Sequence, residues 1–203
     1  VTVDADVVIA LAGTPVNFTG HATRDGGANA AFEPVSIHLE LRGTRRVFQA
    51  VTDVGGNYSL TFQPLPGEGG HYQVAAAHPG VVDPPFQDQL SLLALKAGTP
   101  QTVRLLEGEN VSSMVAIQNL ADIELTGLTA MLVTGPTNIT ILPSLAVSNV
   151  VGDGTFMLSY TVAAPNGVSG NGAFRIRVET AQGAFTEVTV PLVIEAKRAR
   201  LVA

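Results

Sequence analysis

The stretch Thr52-Asp53-Val54-Gly55-Gly56-Asn57-Tyr58-Ser59-Leu60-Thr61-Phe62 constrains this chain more than any other. It reads as a strand end, a glycine turn and a second strand. Gln63-Pro64-Leu65-Pro66-Gly67-Glu68-Gly69-Gly70 then makes a Gly/Pro corner, and His71-Tyr72-Gln73-Val74 opens a third strand. Side chains alternate across a strand, so Tyr58, Leu60 and Phe62 share one face, and Tyr72, Val74 and Ala76 share another. Three short strands with one buried face each need a second sheet to pack on, which predicts a β-sandwich.

The same grammar runs through the rest of the chain. Val16 and Phe18 point inward from an early strand. Val35, Ile37, Leu39 and Leu41 alternate with Ser36, His38 and Glu40, which are expected on the outer face. Leu90 to Leu95 closes a first module. Beyond Lys96-Ala97-Gly98-Thr99-Pro100 the strands resume: Val103 to Leu106, Val111 to Asn119, Leu125 to Val133, Ile139 to Leu142, Thr155 to Val162, Phe174 to Glu179, and Val188 to Ile194. Pro191 cannot donate to a ladder and suggests an edge there. The expectation is an all-β chain of two tandem Ig-like (Greek-key) sandwiches, residues 1–96 and 97–203, each of about seven strands. The 203 residues suit two domains of about 100.

Composition excludes several function classes. Eleven Lys+Arg against 17 Asp+Glu give a net charge of −6, the wrong sign for neutralising phosphates, so no nucleic-acid partner is expected. There is no Cys, which removes disulfides, thiolate metal sites and cysteine nucleophiles. No apolar run reaches the roughly 18 residues of a membrane helix, so no membrane insertion is expected. The chain opens on Val1 without a signal peptide and is read as a processed chain or a fragment.

Two resemblances follow from the motifs. Thr52 to Leu60 resembles the T-D-x-x-G-x-Y-x-L/F turn of bacterial Ig-like modules, including the carboxypeptidase-regulatory-like repeats. Leu65 to Tyr72 looks like the tyrosine corner of Ig and fibronectin-III sandwiches, which implies that the Tyr72 hydroxyl bonds upstream backbone. Asn119 to Leu128, with Tyr160-Thr161-Val162-Ala163-Ala164-Pro165 and Gly172-Ala173-Phe174, resembles the CARDB-like Ig modules found beside secreted enzymes and adhesins. These families have no catalytic residues in their motifs, so none are carried over.

His21, His38, His71 and His78 are scattered and read as surface or turn residues, with no convergent metal set. Ser59 and Ser159 sit mid-strand, and no G-x-S-x-G elbow occurs. Calcium is the sharper possibility: Asp4 and Asp6, Asp83 and Asp88, and Glu107 with Glu109 supply oxygens, though no D-x-D-x-D-G run does. Sequons occur at Asn17, Asn57, Asn110 and Asn138, which suggests glycosylation, but Asn before Ser or Thr is also ordinary turn-to-strand sequence. Lys96 and Lys197 lie at module ends, unsuited to an intramolecular isopeptide bond. Tyr58, Tyr72 and Tyr160 fall on core faces, which leaves Phe86 as the plausible exposed aromatic. The basic ending Lys197 to Ala203 reads as a linker or subunit contact.

The expectation is therefore a non-enzyme with no catalytic, cofactor-binding or metal residues and no cofactor. It would be a structural segment of a secreted or cell-surface protein: a spacer, a stalk or a self-assembling filament or layer subunit. Its partners would be copies of itself or neighbouring domains. The strand Val7 to Leu11 and the tail after Ile194 are the edges expected to make such contacts. The alternative is an accessory binding or adhesion module, with its ligand on the loops Asp25–Asn29 or Val81–Asp88.

Overall fold

A computed structural model describes residues 1–197. The described residues are all β, with sixteen strands and no helix. The chain divides into two compact units, the first being Val1–Ala94 and the second starting at Leu95.

In the first unit, β1 (Asp4–Ala5), β3 (Val16–His21) and β6 (Asn57–Phe62) form one sheet. The other is ordered β2 (Ile9–Leu11), β8 (Asp88–Leu93), β7 (Gly70–Ala77), β4 (Pro34–Leu41), β5 (Thr44–Val51). Strand β3 skips its sequence neighbours to pair with β6, and β4 lies between β5 and β7, so the chain crosses between sheets. In the second unit, β9 (Leu95–Ala97), β11 (Asn110–Asn119), β14 (Thr155–Ala163) and β13 (Thr140–Leu145) form one sheet. The facing sheet is ordered β10 (Val103–Leu106), β16 (Phe185–Glu195), β15 (Gly170–Glu179), β12 (Thr129–Thr134). This is the ABED and CFG partition of an immunoglobulin sandwich. In each unit an early strand pairs in parallel with the last one, β2 with β8 and β10 with β16.

The cores follow the alternation. Val16, Phe18, Ile37, Leu39, Tyr72, Val74 and Leu92 fill the first. The Phe62 ring lies 5.8 Å from both Phe48 and Tyr72, at the centre of an aromatic cluster. In the second unit Ile117, Leu158, Tyr160, Phe174, Ile176 and Val190 are fully buried, and Tyr160 meets Phe174 edge to face at 5.5 Å.

Two turns show why the motifs have their residues. Asp53 Oδ1 accepts the N–H groups of Gly55 (2.8 Å) and Asn57 (2.9 Å), and Gly56 takes φ +81°, where a Cβ would lie 2.6 Å from the Ala22 carbonyl. The Asn57 amide holds the Asp53 carboxyl below its usual range. Gly20 faces Tyr58 across the β3–β6 pair, and its missing Cβ is what lets the Tyr58 hydroxyl reach the Thr2 carbonyl.

The structure departs from the sequence reading in five places. Leu95 and Lys96 pair with Asn119 and Gln118 of β11, so they run with the second unit and do not end a strand of the first. Ser36 and His38 on β4 are buried, because the segment after β7 folds over this outer face. Arg45 donates to the Val82 carbonyl (2.7 Å) and to Asp83 (2.8 Å), and Pro84 is buried. Strand β16 is an edge only as far as Pro191, since β10 covers it from Leu192 to Glu195; the end of β16 is therefore interior. The Tyr72 hydroxyl meets side chains, not upstream backbone. It accepts from Arg46 (3.1 Å) and lies against Glu68, whose own carboxylate takes the Leu65 N–H (2.9 Å). Strand β12 begins at Thr129, four residues later than expected, because Leu125 instead bridges to Val150. The tail from Arg198 lies outside the described residues.

The two tyrosines differ in a way that predicts opposite responses. Tyr58 donates to a backbone carbonyl, whereas the buried Tyr160 hydroxyl has no hydrogen-bond partner among the described residues. Tyr58→Phe is expected to cost about 1 kcal/mol and Tyr160→Phe to be neutral or stabilising. Urea denaturation of the full chain compares them.

Candidate functional site

Five of the six acids proposed for calcium are each engaged separately. Asp6 holds Asn17 through both the backbone N–H (3.0 Å) and the side-chain amide (2.9 Å). Asp88 accepts the Ala5 N–H at 2.6 Å, which fastens β1 to β8. Asp83 pairs with Arg45. Glu107 accepts the N–H groups of Gly167 (2.7 Å) and Lys197 (2.9 Å), and Glu109 caps the turn at Leu106 (3.1 Å). Among the described residues, no three His, Asp or Glu come together in a way that could hold a metal ion.

The histidines are not alike. The His21 ring lies 3.0 Å from the Gly55 carbonyl and supports the turn. His78 is exposed, with Nδ1 donating to the Pro79 carbonyl at 2.8 Å. His71 lies 3.5 Å from the Ser91 hydroxyl. His38 is 4% exposed, and neither of its ring nitrogens has a hydrogen-bond partner among the described residues. Burial pushes its pKa down, and Arg45 adds to this while Asp83 opposes it. Its outward position on β4 gave no sign of this, because the cover comes from a loop more than 40 residues later in the chain.

The four sequon asparagines are all exposed, as are Thr19, Ser59, Ser112 and Thr140. Asn17 and Asn57 are engaged by Asp6 and Asp53.

The loop leaving β3 helps to build a surface concavity of the first unit. A cleft of about 500 Å³ opens beside Arg24, Asp25, Glu33 and His78. Arg24 and Glu33 pair across it at 2.7 Å. Its back wall is held by Thr52, a buried residue whose hydroxyl donates to the Ala30 carbonyl and accepts the Glu33 N–H at 2.9 Å. Between those two contacts, Phe32 sits at φ +58° with 71% of its surface exposed. Left-handed backbone at a bulky residue is costly and persists only where its surroundings impose it. Sequence reasoning singled out Phe86, which is 42% exposed; Phe32 and Phe185, at 71% and 50%, are more open. The run Ala30-Ala31-Phe32 carries no local signal that an aromatic is displayed.

In the second unit Asn119 does for its loop what Thr52 does for this one. It is fully buried. Its amide donates to the carbonyls of Ile123 (2.8 Å) and Val151 (3.0 Å), and its oxygen accepts the Ala121 N–H (3.0 Å).

No family model matches this chain, and neither does any curated protein. Solved structures are similar at low identity. The D0-D1 domain of intimin is 13% identical, covering 93% of this chain and 96% of that one at a TM-score of 0.35. The Yersinia pseudotuberculosis adhesin InvE is 13% identical over 94% of this chain and 58% of its own, at 0.39. A Salmonella alpha-2-macroglobulin is 12% identical over 96% of this chain, which spans 16% of that protein, at 0.46. At such values the likeness carries no argument about activity.

His38 makes stability pH-dependent. The unfolded chain takes up the proton near the ordinary value of about 6.5, while the folded state resists it until a lower pH. Stability from this group is therefore complete above about pH 6.5 and declines as pH falls toward the folded pKa. His38→Leu is expected to flatten thermal stability between about pH 6.5 and 5 relative to the parent. Equal slopes in parent and variant would refute this.

Proposed function

We propose that this chain is a non-catalytic structural segment of a secreted or cell-surface protein: a spacer, a stalk or a subunit of a self-assembling filament or layer. Two Ig-like domains in tandem along the chain would make up this segment. The observation that carries this reading is where the polar groups are spent. Thr52 and Asn119 satisfy buried loop backbone. Glu68, Arg46 and Tyr72 close the end of the first core, with Arg46 lying 5.0 Å from the Phe62 ring centre. Asp6, Asp53, Asp88, Glu107 and Glu109 each hold a backbone N–H. Such groups fix a shape, and an active site instead needs groups converging on a substrate.

The alternative, an accessory binding module, is favoured by one observation. Phe32 is held exposed at positive φ beside the cleft lined by Arg24, Asp25, Glu33 and His78. Display of an aromatic at a conformational cost is a property of ligand-contacting loops.

Two measurements test these readings, and the second separates them. The full chain should show no turnover on a panel of ester, amide and glycoside substrates; turnover lost on substituting one of its own residues would overturn the structural reading. Phe32→Gly should raise stability by up to about 1 kcal/mol through relief of strain. If it also abolishes retention on a glycan or protein array, the binding module replaces the spacer.

A further inference from the structure

The chain contains two Asn–Gly pairs, Asn166–Gly167 and Asn171–Gly172. A glycine after asparagine leaves its backbone nitrogen open to close on the asparagine side-chain carbonyl carbon, because no Cβ stands in the way. The structure gives the two pairs unlike settings. Asn171 lies within β15, in register with Val193 of β16, and the ladder holds its backbone extended. Asn166 and Gly167 are both exposed and form the turn between β14 and β15, where Gly167 takes φ +82°. Three segments meet at this turn. The Gly167 N–H donates to Glu107 Oε2 at 2.7 Å, and the other oxygen of the same carboxylate accepts the Lys197 N–H at 2.9 Å. The Asn166 side chain lies on Gly108, where a Cβ would come 2.2 Å from its Oδ1. Residues 107–109 are themselves fixed beside it: the Gly108 N–H donates to the Ala164 carbonyl (2.8 Å), and the Ala164 N–H to the Glu109 carbonyl (3.0 Å).

We propose that Asn166 is a site of self-modification in which Glu107 acts as the base. The Gly167 nitrogen attacks Asn166 Cγ while Glu107 takes the proton from that nitrogen. A new N–C bond forms, the Cγ–Nδ2 bond breaks, and the side-chain nitrogen leaves as ammonia, carrying the proton that Glu107 returns. Water then opens the cyclic imide at either of its carbonyls. One opening gives aspartate; the other gives isoaspartate, whose main chain runs through the former side-chain carbonyl. Water is consumed, ammonia is released and the carboxylate is regenerated. Glu107 meets the geometric requirement for this role, since a general base must lie within hydrogen-bond reach of the proton it takes.

A second nitrogen stands nearby. Lys197 Nζ and Asn166 Cγ each lie 3.1 Å from the position that a Gly108 Cβ would take. Lys197 is exposed, and as an ammonium it has no free lone pair for attack. The Gly167 nitrogen is adjacent to Asn166 in the chain and already bonded to a carboxylate, so it is the nucleophile. The consequence falls on the same end of the second unit. A carboxylate at position 166 stands beside that of Glu107, and like charges at close range repel. Isoaspartate also lengthens the main chain of the turn. Both changes work against the hold of Glu107 on Gly167 and Lys197, which ties the β10–β11 turn to the β14–β15 turn and to the residues after β16. The modification accumulates with the age of the chain and loosens this clasp.

Peptide mapping by mass spectrometry, on the full chain held for weeks at neutral pH and body temperature, tests this. Asn166 is expected to become a mixture of aspartate and isoaspartate while Asn171 stays asparagine. Glu107→Gln keeps an acceptor for one N–H but cannot take a proton, and should slow the conversion at least about threefold, with circular dichroism showing it folded. In concentrated urea the two Asn–Gly pairs should convert at similar rates, and Glu107→Gln should make no difference. Asn166 unchanged in the folded chain, Asn171 converting as fast as Asn166 there, or equal rates in the folded parent and Glu107→Gln overturns the proposal. So does a peptide in which the Lys197 side chain is joined to residue 166, which would make the lysine the nucleophile. Faster hydrogen exchange at the Lys197 amide in aged protein than in fresh protein supports the loosening, and unchanged exchange refutes it.

Discussion

Each unit depends on one buried polar side chain that answers for loop backbone the sheets cannot reach. Backbone groups outside a ladder still need partners when they are buried. Thr52 closes the loop between β3 and β4 onto the start of the β5–β6 turn, and Asn119 gathers two segments, at Ala121–Ile123 and at Val151, around the end of β11. Around those fixed points the apolar alternation has only one register in which it buries its own residues. The polar residues of both motifs are thereby explained by the main chain, before any ligand is considered.

The strands were legible because their physics is local. Val16 and Phe18, Ile37 and Leu39, and Phe156 through Val162 point where their alternation says, and all of the even-numbered members of the last series are buried. What failed to show was set by segments far away in sequence. His38 reads as outward from its own strand and is buried by a loop at residues 82–84. Tyr72 has the position of a tyrosine corner, but Glu68 and Arg46 compete successfully for its hydroxyl. Phe32 is exposed because Thr52, twenty residues on, dictates the backbone on either side of it. Pro191 reads correctly as an edge residue only because β10 begins one position later.

The candidate site divided in the same way. The acids were easy to find and their separation was not, because Asp6 and Asp88 look alike in sequence yet hold different strands. The neutral face of the second unit could be read only once pairing was known. Strands β11, β13 and β14 are scattered between residues 110 and 163, and what distinguishes them as a group is the charge they lack together.

The parallel pairing of an early strand with the last one in each unit has a mechanical meaning. Strand β2 lies beside β8, and β10 beside β16, with both members running the same way. Tension applied through the chain draws the early strand backward and the last one forward, along the direction of the strands. Their ladder bonds, which lie across that direction, are then loaded simultaneously in shear instead of opening one after another. A unit pulled this way resists until several bonds fail at once. Three or four paired residues at the margin of each sandwich are thus placed to serve as its tensile fastening.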